Sequence, residues 1–265
     1  MKMNTKTIIG LIILLPALTC CLTACSVKEN RAECPCFLIM DFSEVRSSEM
    51  RHSDVDIESS DGFLYNDKIP ASKYGERHVV AVPRTGVFLN VSYGSENCFS
   101  PGNGFLVTDG QNFPPLYLYS SYLDTDAEVV ESKVKMHKEH CRINIGMKAV
   151  SGPFPFSVSV EGDICGIGMD GTPVSGAFSY SPAINDEGTC YVRVPRQTSS
   201  SLILKILDKN DVLRSFSIGE YIIESGYDWT AESLEDVNVE IDYAKTEVSF
   251  TVNDWEKTVH FDVEI

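Results

Sequence analysis

The sequence predicts an all-β protein made of two antiparallel β-sandwich domains in tandem. Three observations carry that reading. Apolar and polar residues alternate with a period of two along much of the chain. Short turn-forming clusters separate those runs, and helical periodicity is rare. Successive side chains of a strand point to opposite faces, so alternation puts one face in a core and the other in water. The 265 residues, less a leader, suit two sandwiches of roughly 100–120 residues each. An apolar fraction of 43% beside 23% charged residues belongs to a folded chain, not a disordered one.

The N-terminus reads as a lipoprotein leader. Lys2 and Lys6 precede an uncharged stretch from Thr7 to Val27, whose core from Ile8 to Leu15 is aliphatic until Pro16 breaks it. A basic segment followed by a short apolar one is the pattern of a secretory signal. It ends in Leu22-Thr23-Ala24-Cys25, which resembles the bacterial lipobox: small residues before the cut, then a thiol for acylation. Cys20 and Cys21 are poorer fits to the same pattern. The uncharged run is just long enough to span a bilayer, but Pro16 and its threonines and cysteines weaken it as an anchor. Residues 1–24 are therefore expected to be a signal peptide, Cys25 the lipidation site, and residues 25–33 a polar tether. A diacyl-thioether plus an N-acyl chain of the palmitate kind gives stable attachment to a membrane surface. An acidic residue soon after Cys25 resembles the surface-export signal of Bacteroidetes lipoproteins.

The strands follow in order. Candidates are Cys36–Phe42, His78–Val82, Val87–Tyr93, Leu116–Leu123, Val129–Met136, Cys141–Met147, Phe156–Val160, Cys190–Val194, Leu202–Leu207 and Val212–Ile218. Val237–Tyr243, Val248–Asn253 and Val259–Ile265 alternate without error. The last two are expected to pair as a hairpin through Asn253-Asp254. Pro83–Gly86, Ser100–Gly104, Ser151–Pro153 and Asp208–Asp211 carry the turn chemistry. One helix is expected at Ser217–Ser225, where Ile218, Tyr221 and Ile222 recur at helical spacing and Gly226 ends it. The charged stretch Lys138–Arg142 marks the boundary, giving an N-terminal sandwich over 34–139 and a C-terminal one over 140–265.

Charge and motifs exclude more than they assign. A net charge of −16 repels phosphate, so no nucleic-acid partner is expected. Beyond the leader stand Cys34, Cys36, Cys98, Cys141, Cys165 and Cys190. An envelope location permits disulfides among these six, but sequence cannot choose among their pairings. Buried free thiols are the alternative. His137-x-x-His140-Cys141 has a metal-like look, but histidines beside lysines on a strand are common and no carboxylate-rich partner motif follows, so no metal is expected. Gly166-Ile-Gly-Met-Asp-Gly171 spells a dinucleotide fingerprint without the helix that such a site needs, so it reads as a loop. Asp54-x-Asp56 and Asp124-x-Asp126 lack the glycine and distal glutamate of a calcium loop. No nucleophile elbow or zinc-protease motif is present. Trp229 and Trp255 read as core residues. No catalytic residue and no cofactor is assigned.

Two segments carry a resemblance. Glu33-Cys-Pro-Cys-Phe-Leu-Ile-Met-Asp-Phe-Ser-Glu-Val45 follows the lipid cysteine. Gly219-Glu-Tyr221, Gly226-Tyr-Asp-Trp229, Leu234-Glu-Asp-Val237, Val239–Tyr243 and Val252-Asn-Asp-Trp255 stand near the end. Together they resemble the FimB-type fimbrial subunit family of Bacteroidales, the lipid-anchored and minor subunits of type V pili. The resemblance is specific in the terminal segments and faint between Ser47 and Pro195. It implies transthyretin-like sandwiches and a non-enzymatic subunit that anchors or caps a fimbrium at the outer membrane. It also implies partners drawn from the same fimbrial system, joined by exchange of a strand. The rival expectation is a surface lipoprotein that binds glycan, with or without hydrolase activity.

Overall fold

The computed structural model describes residues 34–46, 48–98, 104–148, 154–209, 211–242, 245–252 and 254–260. The expected signal peptide, Cys25 and nearly all of the tether lie outside the described residues. Strands dominate, as the alternation predicts. In chain order the first are β1 (Cys36–Asp41), β2 (His52–Glu58), β3 (Leu64–Pro70), β4 (His78–Val82), β5 (Val87–Tyr93), β6 (Gly104–Leu106), β7 (Tyr117–Leu123), β8 (Val129–Lys133) and β9 (His137–Lys138). Then come β10 (His140–Lys148), β11 (Ser157–Gly168), β12 (Pro173–Tyr180), β13 (Thr189–Pro195), β14 (Ile203–Asp208), β15 (Asp211–Phe216), the helix α1 (Ile218–Glu224), β16 (Val237–Asp242), β17 (Glu247–Val252) and β18 (Trp255–His260).

One seven-strand plan occurs twice. The first copy has a sheet β4-β1-β8 and a sheet β3-β2-β5-β7, the latter extended by β9. The second has β13-β10-β16 and β12-β11-β14-β15 in the same order. In each copy the first strand pairs antiparallel with the fourth and parallel with the last: β1 with β8, and β10 with β16. These two parallel pairs stand among antiparallel pairings elsewhere in the described residues. A parallel partner needs a long crossover, and here the intervening strands supply it.

Besides β9, the copies differ at a second edge. Beyond β16, the hairpin β17–β18 extends the sheet, with Val252 opposite Trp255 across the turn. This is the expected hairpin through residues 253–254, but its second strand begins earlier than Val259. Residues 261–265 lie outside the described residues. The alternation of the C-terminal strands is realised directly. Val237, Val239 and Ile241 of β16 and Val248, Phe250 and Val252 of β17 are buried, while Asn238 and Glu240 face water. In α1, Ile218 and Ile222 share the buried face, and Gly226 takes a left-handed φ of 77° past the helix end.

Two hydrophobic clusters fill the two copies. One gathers Leu38, Met40, Phe42, Val55, Ile57, Val82 and Leu89 between the first pair of sheets. The other gathers Ile143, Ile145, Val158, Ile167, Leu204, Val239 and Phe250 between the second pair. The chain between β5 and β7 does not stay with the first. At the end of β5, Gly94 adopts φ 86°, where an added Cβ would strike the Pro115 carbonyl. From there β6 pairs with β11, placing Phe105 opposite Ile167. Gly110 N then bonds Ser179 O at 2.8 Å, and Phe113 N bonds Arg193 O at 3.3 Å. Phe105, Val107, Phe113 and Leu116 thereby belong to the second cluster. Full burial of such a side chain contributes about 2 kcal/mol.

Candidate functional site

The candidate surface is an open sheet edge in the first copy. β8 pairs with β1 on one side, Phe37 lying beside Val129 and Ile39 beside Glu131. Among the described residues nothing pairs with its other side. In the second copy the matching edge of β16 is taken by β17. An unpaired edge presents N–H and C=O groups to an incoming strand. Beside it, the outer face of the sheet is apolar: Phe37 is 48% exposed, Val79 54% and Val129 50%. The inward residues Leu38, Val80 and Val82 leave no room for these three in the core. Charges flank the patch. Lys133 Nζ lies 2.7 Å from Glu44, and Arg77 lies 3.6 Å from Glu131.

The patch was not predicted. Cys36–Met40 is an unbroken apolar run ahead of Asp41, the pattern of a strand buried on both faces. Only one face is buried, so Phe37 is the side chain whose exposure the run conceals. Exposed apolar residues gathered on one sheet face make it a candidate interaction surface.

A clasp joins the two copies where the boundary was expected. The loop before β16 docks on the β8–β10 connection. Leu234 N bonds Lys138 O at 3.2 Å, Lys138 Nζ meets Asp236 at 2.5 Å, and Lys135 Nζ meets Glu232 at 2.5 Å. Beneath these, Arg196 Nε donates to Glu139 Oε2 at 2.8 Å, and its Nη1 donates to the carbonyls of Trp229 and Ala231. Trp229 is buried in the second cluster and Trp255 is half-buried against it.

The residues singled out in the sequence are dispersed. His137 is half-buried in β9. His140 is buried with Nδ1 3.2 Å from Leu116 O, and burial pulls its pKa down to about 4. Cys141 is buried beside the Tyr227 hydroxyl, and burial pushes its thiol up to about 12. Among the described residues no group of three or more His, Cys, Asp or Glu is placed to hold a metal ion. Cys34 is exposed, Cys36 and Cys141 are buried, and Cys98, Cys165 and Cys190 are half-buried; the last five are free thiols. The glycine motif is only half a loop: Gly166–Gly168 end β11, and the residues after them turn into β12, with Gly168 N bonded to Thr172 O at 2.7 Å. Asp54 pairs with Lys68 at 3.0 Å, Asp56 with Asn66, and Asp124 accepts from Asp126 N, so each is spent on local structure.

The fold is that of an all-β protein of paired sheets whose candidate surface is an edge and an apolar face. Solved structures with this fold include proteins of Bacteroides and Porphyromonas. Candidate polysaccharide-binding proteins of Bacteroides thetaiotaomicron align with TM-score 0.62 and 10% identity, over 85% of this chain and 98% of theirs. The fimbrial anchor protein Mfa2 of Porphyromonas gingivalis aligns with TM-score 0.59 and 10% identity, over 84% of this chain and 99% of its own. A candidate adhesin of Bacteroides ovatus aligns with TM-score 0.59 and 12% identity, over 86% and 95%. The sequence matches no protein-family profile, and no curated protein matches it.

Proposed function

We propose that this chain is a lipid-anchored, non-enzymatic subunit of a cell-surface fimbrium, of the FimB type, with two tandem transthyretin-like domains. The observation that carries the reading is the fold shared with the fimbrial anchor Mfa2 along nearly the whole of both chains. The leader ending in Cys25 supports the attachment: lipid on that residue holds the protein at the outer membrane, facing outward. Fimbrial subunits of the same system are the partners. The open edge of β8, beside Phe37, Val79 and Val129, is the surface that receives a partner's strand. Main-chain bonds along the edge give affinity, and the apolar face gives selectivity. No cofactor enters this role.

The experiment is affinity purification from membrane extract with the wild-type chain and with Val129→Lys. Co-purification of fimbrial subunits by the wild type, reduced in the variant at unchanged melting temperature, supports the reading. A wild-type chain that brings down no fimbrial subunit overturns it.

A further inference from the structure

The outward face of the second copy carries a groove that the strand-edge reading does not use. It has a volume of about 700 Å³, within the range of ligand pockets. Its floor is the sheet β13-β10-β16, where Asn144 lies between Tyr191 and Asn238 in register. Gly146, one row along, has nothing within 4 Å of an added Cβ, so the floor dips there. Asn112 and the 180–185 segment form the walls.

The chemistry of the lining is specific. The Arg142 guanidinium lies over the Tyr191 ring at 4.2 Å from its centroid, with Arg193 at 5.2 Å. Arg193 is committed, its Nε donating to Phe113 O at 2.7 Å. Arg142 has no ion pair among the described residues, in a protein of net charge −16. Stacking fixes its plane and leaves its N–H edge free for a carboxylate. Asn144 Nδ2 donates to Asn238 Oδ1 at 3.1 Å, leaving an acceptor on Asn144 and donors on Asn238 free. Glu240 is held by Lys148 at 2.5 Å, which reduces its repulsion of an anion. Groups that both give and take hydrogen bonds suit hydroxyls. A sheet face, unlike an edge, offers no main-chain pairing to a peptide.

We propose that this groove binds a saccharide bearing a carboxylate, which Arg142 grips while Asn144 and Asn238 bond its hydroxyls. A subunit displayed at the cell surface would then also be a glycan receptor, and the site stands independently of the β8 edge.

The test is isothermal titration of the full chain with trigalacturonic acid and with maltotriose as the neutral control. Arg142→Met removes the charge and keeps the stem, and Gly146→Leu fills the floor from open space. We expect trigalacturonate to bind, at least about tenfold more weakly in Arg142→Met, the scale of one lost charge-assisted bond. We expect no binding to Gly146→Leu. Melting temperatures of both variants show whether the fold survives. No binding by the wild type overturns the proposal, as does binding undiminished in either folded variant. Equal binding of maltotriose overturns the carboxylate assignment.

Discussion

Arg196 and Glu139 form a buried ion pair at the junction of the two copies, with side chains 12% and 7% exposed and Nε 2.8 Å from Oε2. Because Arg196 also holds the carbonyls of Trp229 and Ala231, the pair ties β13 and the loop after α1 to the connection between β9 and β10. Glu139→Gln leaves a guanidinium buried without its counter-charge. It should cost about 3 kcal/mol, read as a lower urea midpoint. Glu139→Gln with Arg196→Met should recover part of that loss. A single variant within about 0.5 kcal/mol of wild type, the scale of a neutral surface change, would refute the structural role of the pair.

His140 makes the junction sensitive to acid. Burial is the main cause of its lowered pKa, with Lys138 and Arg193 adding to it and the Leu116 carbonyl and Asp236 opposing. The folded value of about 4 lies below the ordinary 6.5. The unfolded chain therefore binds the proton first as pH falls. The stability from this residue is full above about pH 6.5 and is lost progressively down to about pH 4, by roughly 3 kcal/mol in all. His140→Gln should flatten that limb of a pH series of urea midpoints. A variant with the wild-type slope would assign the acid sensitivity elsewhere.

Phe250 anchors the helix to the added hairpin. Its ring lies 4.6 Å from that of Tyr221, over which Lys257 Nζ sits at 4.4 Å from the centroid. Phe250→Ala should cost about 3–4 kcal/mol by opening a cavity in the second cluster. Limited proteolysis should then cut first near β17–β18. Resistance equal to wild type would show that α1 holds without this contact.

Cys25→Ser tests the attachment. The variant should accumulate as unprocessed precursor and take up no labelled fatty acid. Label persisting in the variant would move the lipid to Cys20 or Cys21.

Legibility in the sequence followed burial. β16 and β17 are half-buried, so their alternation shows. β3 was missed because, of Leu64–Pro70, only Ile69 is buried. β12 was missed because Pro173 and Gly176 weaken the pattern of an edge strand. Asp54-x-Asp56 reads as alternating carboxylates on a solvated strand face, and β2 carries them on its outward face, but the strand's bounds stayed hidden because the buried Ser53 is polar. The β8 edge was illegible in a different way. Its strand was predicted, but whether a strand has neighbours on both sides depends on topology, which periodicity does not encode. Arg196 and Glu139 lie far apart in the chain, and nothing in their local sequence marks them as partners.

The segment from Gly104 to Leu116 has a consequence for synthesis. Phe105 leaves the ribosome well before its register partner Ile167. The first sheets can assemble in that interval, but Phe105, Val107 and Phe113 must wait uncovered until β11 and β13 arrive. A nascent chain holding three large apolar side chains in water is prone to aggregate, and is a natural client for a chaperone. The same threading means that residues 140–265 produced alone would lack part of their own core, so the two halves should melt together rather than one after the other.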